Sequence, residues 1–301
     1  MKNNHIPVLL NEVLDNLALK ENGIYIDLTL GMGGHSKEIL KRIPKGKLIA
    51  FDKDDFAIKN ASKTLSEVAN NFEIIKSDFK DFKEELSNLG IYKVDGILAD
   101  LGISSPQIDN AERGFSYLKN SALDMRMDQS QKLSAYDVVN LYPVEKLEYI
   151  LKTYGEVKNY KYIASKIIEA RPINTTLELA NLIKSVTPQK LLKLKNPAKN
   201  VFQAIRIEVN NELDSIHQML SSVEDLLKVN ASLLIISFHS LEDKIVKNYF
   251  QELTKPKLPS KMPIQEDKFF ATRRIYPSKQ ELNLNSRSKS AKLRILTKIK
   301  D

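Results

Sequence analysis

Three carboxylates and a cluster of glycines carry most of the chemistry legible in this 301-residue chain. Asp27 closes an apolar run, Ile24-Tyr25-Ile26, and leads into Leu28-Thr29-Leu30-Gly31-Met32-Gly33-Gly34-His35-Ser36. Asp52 closes a second run, Lys47 to Phe51, and lies 21 positions after Gly31. Asp100 closes a third, Val94 to Ala99. Glycine has no Cβ, so such a turn bends sharply and lets a ligand approach the backbone. A carboxylate about 20 residues further on, at the tip of the next strand, stands where an adenosine ribose presents its hydroxyls. An adenosine-bearing cofactor is expected.

Two such cofactors compete. A nicotinamide-type fingerprint, Gly-x-Gly-x-x-Gly, uses its third glycine for close helix–strand packing. This chain has Ser36 there, and Asp27 would set a like charge beside a pyrophosphate. That acid suits a cofactor with a cationic amino-acid end, which favours S-adenosylmethionine. The chain has no cysteine, which removes disulfides, thiolate zinc and cysteine-ligated iron–sulfur clusters. It also removes the thiol nucleophile used to attack a pyrimidine ring carbon, so a nitrogen or oxygen is the expected acceptor if a base is modified. His5, His35, His217 and His239 have no metal-ligand spacing, and no metal is expected.

These residues need a parallel sheet to bring them to one edge. Besides the runs above, Phe72 to Lys76 and Leu233 to Phe238 are short, apolar and bounded by polar loops, as buried parallel strands are. Asp100 and Leu233 are 133 positions apart, whereas a strand–helix–strand crossover takes about 30. Roughly 100 residues are therefore inserted, about one small domain. The insert reads helical. Ser134 with Asp137 and Thr175 with Glu178 have capping-box spacing, and Pro143 opens an apolar face of Val144, Leu147, Ile150, Leu151 and Tyr154 that stops at Gly155. Ser240 and Asp243 are read as the cap of a helix toward Tyr249, and Pro256, Pro259 and Pro263 as a loop. Ala291 to Lys300 alternates apolar and basic residues, a strand with one buried face. It fits the extra antiparallel strand that closes methyltransferase sheets. The expected division is a cofactor-binding domain of 1–107 and 206–301 around a helical domain of 108–205.

Hydrophobic residues at 42% and charged residues at 28% call for a packed core. No apolar run approaches a membrane span, and Met1-Lys2-Asn3-Asn4-His5 lacks the apolar centre of a signal peptide, so a cytoplasmic protein is expected. The net charge of +8 is unevenly placed: residues 268–301 hold ten Lys or Arg against Glu281 and Asp301. Residues 184–206 add Lys184, Lys190, Lys193, Lys195, Lys199 and Arg206 with no acid. With Phe269, Phe270 and Tyr276 interleaved for base stacking, the tail points to nucleic acid.

Taken together, these segments resemble the bacterial small-subunit ribosomal RNA cytosine-N4 methyltransferases. The matching blocks are His5 to Leu10, Asp27 to Ser36, Asp100 to Gln107, Ala111 to Phe115, Leu123 to Asp128, Phe202 to Asn210 and Ile235 to Asp243. The resemblance implies an α/β fold: a Rossmann-like S-adenosylmethionine-dependent methyltransferase sheet with an inserted helical, substrate-recognition domain. It places cofactor contacts at Gly33, Gly34, His35, Asp52, Phe79, Asp100 and Gln107, and small-subunit ribosomal RNA as partner.

The loop Asp100-Leu101-Gly102-Ile103-Ser104-Ser105-Pro106-Gln107 resembles the acid- or Ser-Pro-Pro-aromatic loop of amino-methyltransferases, with Gln107 where the aromatic would stand. Phe115 or Tyr117 is the candidate for the missing stack. Asp100, Ser104 and His239 are the candidates for handling the N4 amine, with Asp100 or Ser104 accepting one of its hydrogens. A silent assembly factor on the same fold is the alternative.

Overall fold

A computed structural model describes residues 6–192, 196–255 and 268–301. The chain divides into two units; the first ends at Gly102 and resumes at Leu213, and the second is Ile103–Glu212. The expected insert of 108–205 lies inside the second.

The first unit is a seven-stranded sheet of β1 (Ile24–Asp27), β2 (Lys47–Asp52), β3 (Phe72–Lys76), β4 (Val94–Asp100), β5 (Leu227–Ser237), β6 (Phe270–Ile275) and β7 (Lys292–Lys298). Its spatial order is β3-β2-β1-β4-β5-β7-β6. The first five strands are parallel, and β7 runs antiparallel between β5 and β6. Helices α1 (Leu10–Leu17), α2 (Gly34–Leu40), α3 (Asp55–Ser66) and α4 (Phe82–Asn88) belong to this unit.

Apolar residues fill both sheet faces, as buried parallel strands require. Ile26, Ile97, Ala99, Leu233 and Ile235 join one core cluster. The intervening Tyr25, Leu98, Leu234 and Ile236 join the other. Successive side chains alternate across a strand, and because β1 to β5 run parallel their C-terminal tips, with Asp27, Asp52 and Asp100, lie at one end of the sheet.

The second unit is helical: α5 (Ser105–Asp109), α6 (Ala135–Leu141), α7 (Val144–Thr153), α8 (Tyr160–Glu169), α9 (Thr176–Ser185), α10 (Gln189–Leu192) and α11 (Ala198–Asn210). Ser134 with Asp137 and Thr175 with Glu178 form the capping boxes that their spacing predicts. Leu147, Ile150 and Leu151 of α7 pack with Ile163, Ile167, Leu179, Ile183, Val201 and Ile205 in one core. Arg113 is buried there, its Nη2 donating to the carbonyls of Arg126 and Met127 at 2.9 and 3.0 Å. Two further helices, α12 (Glu212–Leu220) and α13 (Ser240–Thr254), flank β5 in sequence, and α14 (Lys279–Leu284) separates β6 from β7.

Several expectations needed correction. β5 begins at Leu227 rather than Leu233. Helix α13 is capped by His239 with Glu242, not by Ser240 with Asp243. β7 is buried on both faces, Leu296 joining one core cluster and Leu293 and Ile295 the other; Arg294 and Lys298 are among its buried residues. β6 gives no strong alternation in sequence and was not foreseen. Pro256, Pro259 and Pro263 lie outside the described residues, as do His5, Lys193 and Lys195.

Candidate functional site

β1 delivers Asp27 to the sheet edge, where it is buried. Its Oδ1 accepts from the Thr29 amide at 3.1 Å, and its Oδ2 accepts from the Ser36 hydroxyl at 2.6 Å. Burial raises its pKa, partly offset by those hydrogen bonds. The expected role facing a ligand is therefore not the one the geometry displays: Asp27 braces the turn, and Ser36 is its donor rather than a mere departure from a glycine pattern.

The turn between β1 and α2 is fastened on both sides. The Gly31 amide donates to Asp52 Oδ2 at 2.8 Å, and the Asp100 amide donates to Thr29 Oγ1 at 2.6 Å. Thus the tips of β2 and β4 each hold one end of the glycine turn. Gly31 sits in the left-handed region at φ 51°, and a Cβ there would meet only the Thr29 carbonyl oxygen at 3.9 Å, so its outer face stays open to a ligand. Gly34 is different: its Cβ would lie 2.6 Å from Pro7 Cγ, so this glycine makes room for the N-terminal segment. Gly33 is the N-cap of α2.

His35, buried, sets its Nε2 3.0 Å from the Val8 carbonyl and its Nδ1 3.8 Å from Asp100 Oδ2. Asp52 uses Oδ1 to accept from the Asp54 amide at 2.9 Å. The Lys53 amide also donates to this carboxylate, so of its roughly four acceptor sites about one stays available to a ribose hydroxyl. Burial pushes its pKa up to about 6, against the pull of the Asp54 and Gly31 amides. Phe79 opens the turn Phe79–Asp81 after β3 and is half-buried against the core, so it both packs and keeps ring surface exposed.

Asp100 ends β4. Its side chain is 26% exposed, yet Oδ1 is inaccessible and has no hydrogen-bond partner among the described residues. Burial, then the negative charges of Asp27 and Glu242, raise its pKa well above the usual carboxylate range. Buried acceptors are nearly always satisfied, so an orphaned one beside two further acids fits a cationic or amine donor. With the open Gly31 turn and the Asp52 carboxylate at the tip of β2, these residues fit S-adenosylmethionine.

His239 caps α13; its Nδ1 lies 3.4 Å from the Glu242 amide and its Nε2 3.1 Å from Glu242 Oε1, the latter without hydrogen-bond geometry. Glu242 Oε2 accepts from the amides of Phe238 and His239 at 2.8 and 3.2 Å. In the second unit, Gln107 is buried and its Oε1 accepts from the Ser104 amide at 2.9 Å, the return arm of the cap on α5. Phe115 is a core residue of that unit, and Tyr117 is half-buried against the same core, meeting Phe202 edge-on at 5.8 Å. Thr29, Ser36 and Glu242 were missed. Glu242 was findable, since it follows His239 at the capping-box spacing with histidine in place of the usual cap residue.

The basic segments also need revision. Phe270 is buried in the core and stacks on nothing outside it, whereas Phe269 and Tyr276 are exposed. Lys292 and Arg294 donate to Asp243 at 2.9 and 2.6 Å. Burial acts to raise the Asp243 carboxyl, but those two cations more than offset it and leave it lowered. Arg206 makes a two-pronged pair with Glu212, both bonds 2.8 Å, so it is not part of an acid-free cluster.

A parallel α/β sheet whose first turn is glycine-rich and held by the Asp52 carboxylate at the tip of β2 and the Asp100 amide at the tip of β4 defines an adenosine-cofactor domain of the methyltransferase type. The MraW methylase family matches residues 2–299 of this sequence. The chain is 58% identical to the ribosomal RNA small subunit methyltransferase H of Mycoplasmopsis agalactiae, over 99% of this chain and 100% of that protein. Proteins of the same name from Mesomycoplasma hyopneumoniae and Clostridioides difficile are 50% and 47% identical, covering 98% and 99% of this chain and 99% and 100% of theirs. The chain belongs to the MraW methylase family.

Proposed function

We propose that this protein transfers a methyl group from S-adenosylmethionine to the exocyclic N4 of a cytidine in small-subunit ribosomal RNA. Family membership and the names of its relatives support S-adenosylmethionine-dependent methylation of small-subunit ribosomal RNA. The choice of N4 rests on one observation above all: the buried, unpartnered Oδ1 of Asp100 at the tip of β4. The absence of cysteine supports it from the other side, because ring-carbon methylation of a pyrimidine calls for a covalent thiol.

When bound, the cofactor supplies an electrophilic methyl group on a sulfonium. Asp52 accepts from a ribose hydroxyl, the open face of Gly31 admits the cofactor's backbone approach, Phe79 walls the adenine, and Gly33, Gly34, His35 and Gln107 complete the contacts. Asp100 stands beside the reacting end. An N4 amine is a poor nucleophile because its lone pair is delocalised into the ring. An acceptor that holds one N4 hydrogen favours a pyramidal nitrogen and points the lone pair outward; Asp100 has that acceptor, and Ser104 is the second candidate. As the new N–C bond forms and the S–C bond breaks, the nitrogen sheds one proton. A carboxylate whose proton affinity is raised by burial and by neighbouring acids is suited to take it. Much of the barrier is left to positioning, which is worth up to roughly 7–11 kcal/mol for very well-oriented groups.

The target base must leave its stack to reach a strand-tip site. The exposed cations of 268–301 and 184–206 serve as the grip on ribosomal RNA, and the helical unit as the element that recognises it. Among the described residues no helix is long and apolar enough to cross a membrane, and a cytoplasmic place of action agrees with a ribosomal substrate. The test is transfer of labelled methyl from S-adenosylmethionine to small ribosomal subunits taken from cells lacking the protein. Label should enter the RNA and be lost in Asp100→Ala; no label from the wild-type protein would refute the reading.

A further inference from the structure

The strand β6 is the edge of the sheet, and it is built against local electrostatics. Arg274 lies directly opposite Arg294 across the β6–β7 ladder. Like charges so placed destabilise a strand pair. Arg294 is neutralised by Asp243, but that carboxylate already serves Lys292 through its other oxygen. Arg274 has no carboxylate partner among the described residues; its guanidinium rests 4.8 Å from the ring centre of Tyr276. Arg273, next along and pointing to the other face, likewise has no carboxylate partner among the described residues and is exposed.

Aromatic residues bracket these two cations. Phe269 precedes the strand at 43% exposure and Tyr276 follows it at 52%. The six-residue strand spans about 20 Å. A sheet edge offering two uncompensated guanidinium groups between exposed rings matches the pairing of phosphate contacts with base stacking that single-stranded nucleic acid requires. A local conflict that the fold retains is a mark of a functional surface. Of the ten cations in 268–301, Lys292, Arg294 and Lys298 are held by Asp243 and Asp301, so the charge of this segment is directed outward mainly by β6 and the turns after it.

We infer that the β6 edge is the strip along which this protein grips a single-stranded stretch of ribosomal RNA, with Arg273 and Arg274 on phosphates and a base stacked on Tyr276. The inference rests on the RNA methyltransferase reading and adds the surface and the form of the partner. Three variants test it: Arg273→Gln with Arg274→Gln, Tyr276→Leu, and Arg274→Lys. The probe is the small ribosomal subunit from cells lacking the protein, titrated at several salt concentrations in the methyl-transfer assay.

The double variant should raise KM for the subunit and flatten the slope of log KM against log salt by about 1.4, two contacts at about 0.7 each. Tyr276→Leu should raise KM about fivefold or more with little change in salt slope, as lost stacking does. Arg274→Lys should recover most of the salt slope. Rate at saturating subunit and affinity for S-adenosylmethionine should stay at wild-type values, and melting should not fall, because an opposed pair of like charges has been removed. Wild-type KM and slope in the double variant would overturn the inference and leave the arginines as guards against edge-to-edge pairing. Failure of the wild-type protein to methylate the subunit would instead strike the underlying reading.

Discussion

Replacing Asp52 with asparagine should stabilise the ligand-free protein above neutrality and weaken cofactor binding at the same time. The Asp52 carboxyl is held at about 6 in the folded chain against an ordinary value of 3.8. Ionising it in the fold therefore costs roughly 3 kcal/mol more than in the unfolded chain, at about 1.4 kcal/mol per unit. Below the ordinary value both states are protonated and there is no penalty. As pH rises from 3.8 the unfolded chain loses its proton first, so stability falls, and the full penalty is reached above about 6. Asparagine never titrates.

It does have a cost, because Asp52 accepts from both Gly31 and Asp54 amides and an amide side chain can accept through only one atom. That lost bond is worth about 1 kcal/mol. The variant should thus be about 1 kcal/mol less stable than wild type near pH 4, and about 1–2 kcal/mol more stable at pH 7.5, by urea unfolding. Its affinity for S-adenosylmethionine should drop about tenfold or more, since a charged acceptor is lost. A stability difference that does not change between pH 4 and pH 7.5 would refute the reasoning.

Binding of S-adenosylmethionine should release protons and tighten as pH rises. The sulfonium charge of the bound cofactor lowers the raised pKa of Asp100, so the complex holds fewer protons than the free protein; calorimetry in two buffers of different ionisation heat would show it, and zero proton release would count against Asp100 standing beside the reacting end. Ser36→Ala removes the 2.6 Å donor to the buried Asp27 carboxylate and should cost about 1.5–3 kcal/mol in urea unfolding; a neutral result would mean that Asp27 does not brace the turn. Phe270→Ala opens a cavity in the sheet core and should destabilise by about 3–5 kcal/mol while leaving the salt dependence of RNA binding unchanged; a flattened salt slope in a fully folded variant would return Phe270 to the RNA surface.

Three of the parallel strands were legible because β1, β2 and β4 are mostly buried and read as apolar runs ended by an acid. The same feature exposed Asp52 and Asp100. An insert was expected from distance alone, since no crossover needs the length between Asp100 and β5. What stayed hidden follows from long-range pairing. Nothing local in Ala271-Thr272-Arg273-Arg274 marks an edge strand; it is a strand because β7 lies beside it. The burial of Arg294 and the pairing of Lys292 depend on Asp243, 51 and 49 positions away. The bond from Ser36 to Asp27 stayed hidden for a related reason: nothing in the sequence shows that this hydroxyl turns toward that carboxylate. The packing of Pro7 against Gly34 was equally invisible, because it joins the N-terminal segment to a turn 27 positions on.

Nucleoside mass spectrometry of small-subunit RNA, methylated in vitro by this protein with isotopically labelled S-adenosylmethionine, tests the central claim most directly. The labelled nucleoside should be N4-methylcytidine, absent without the protein and absent with Asp100→Ala. Labelled 5-methylcytidine, or label on a purine, would contradict the assignment of the Asp100 acceptor to an exocyclic amine of cytosine.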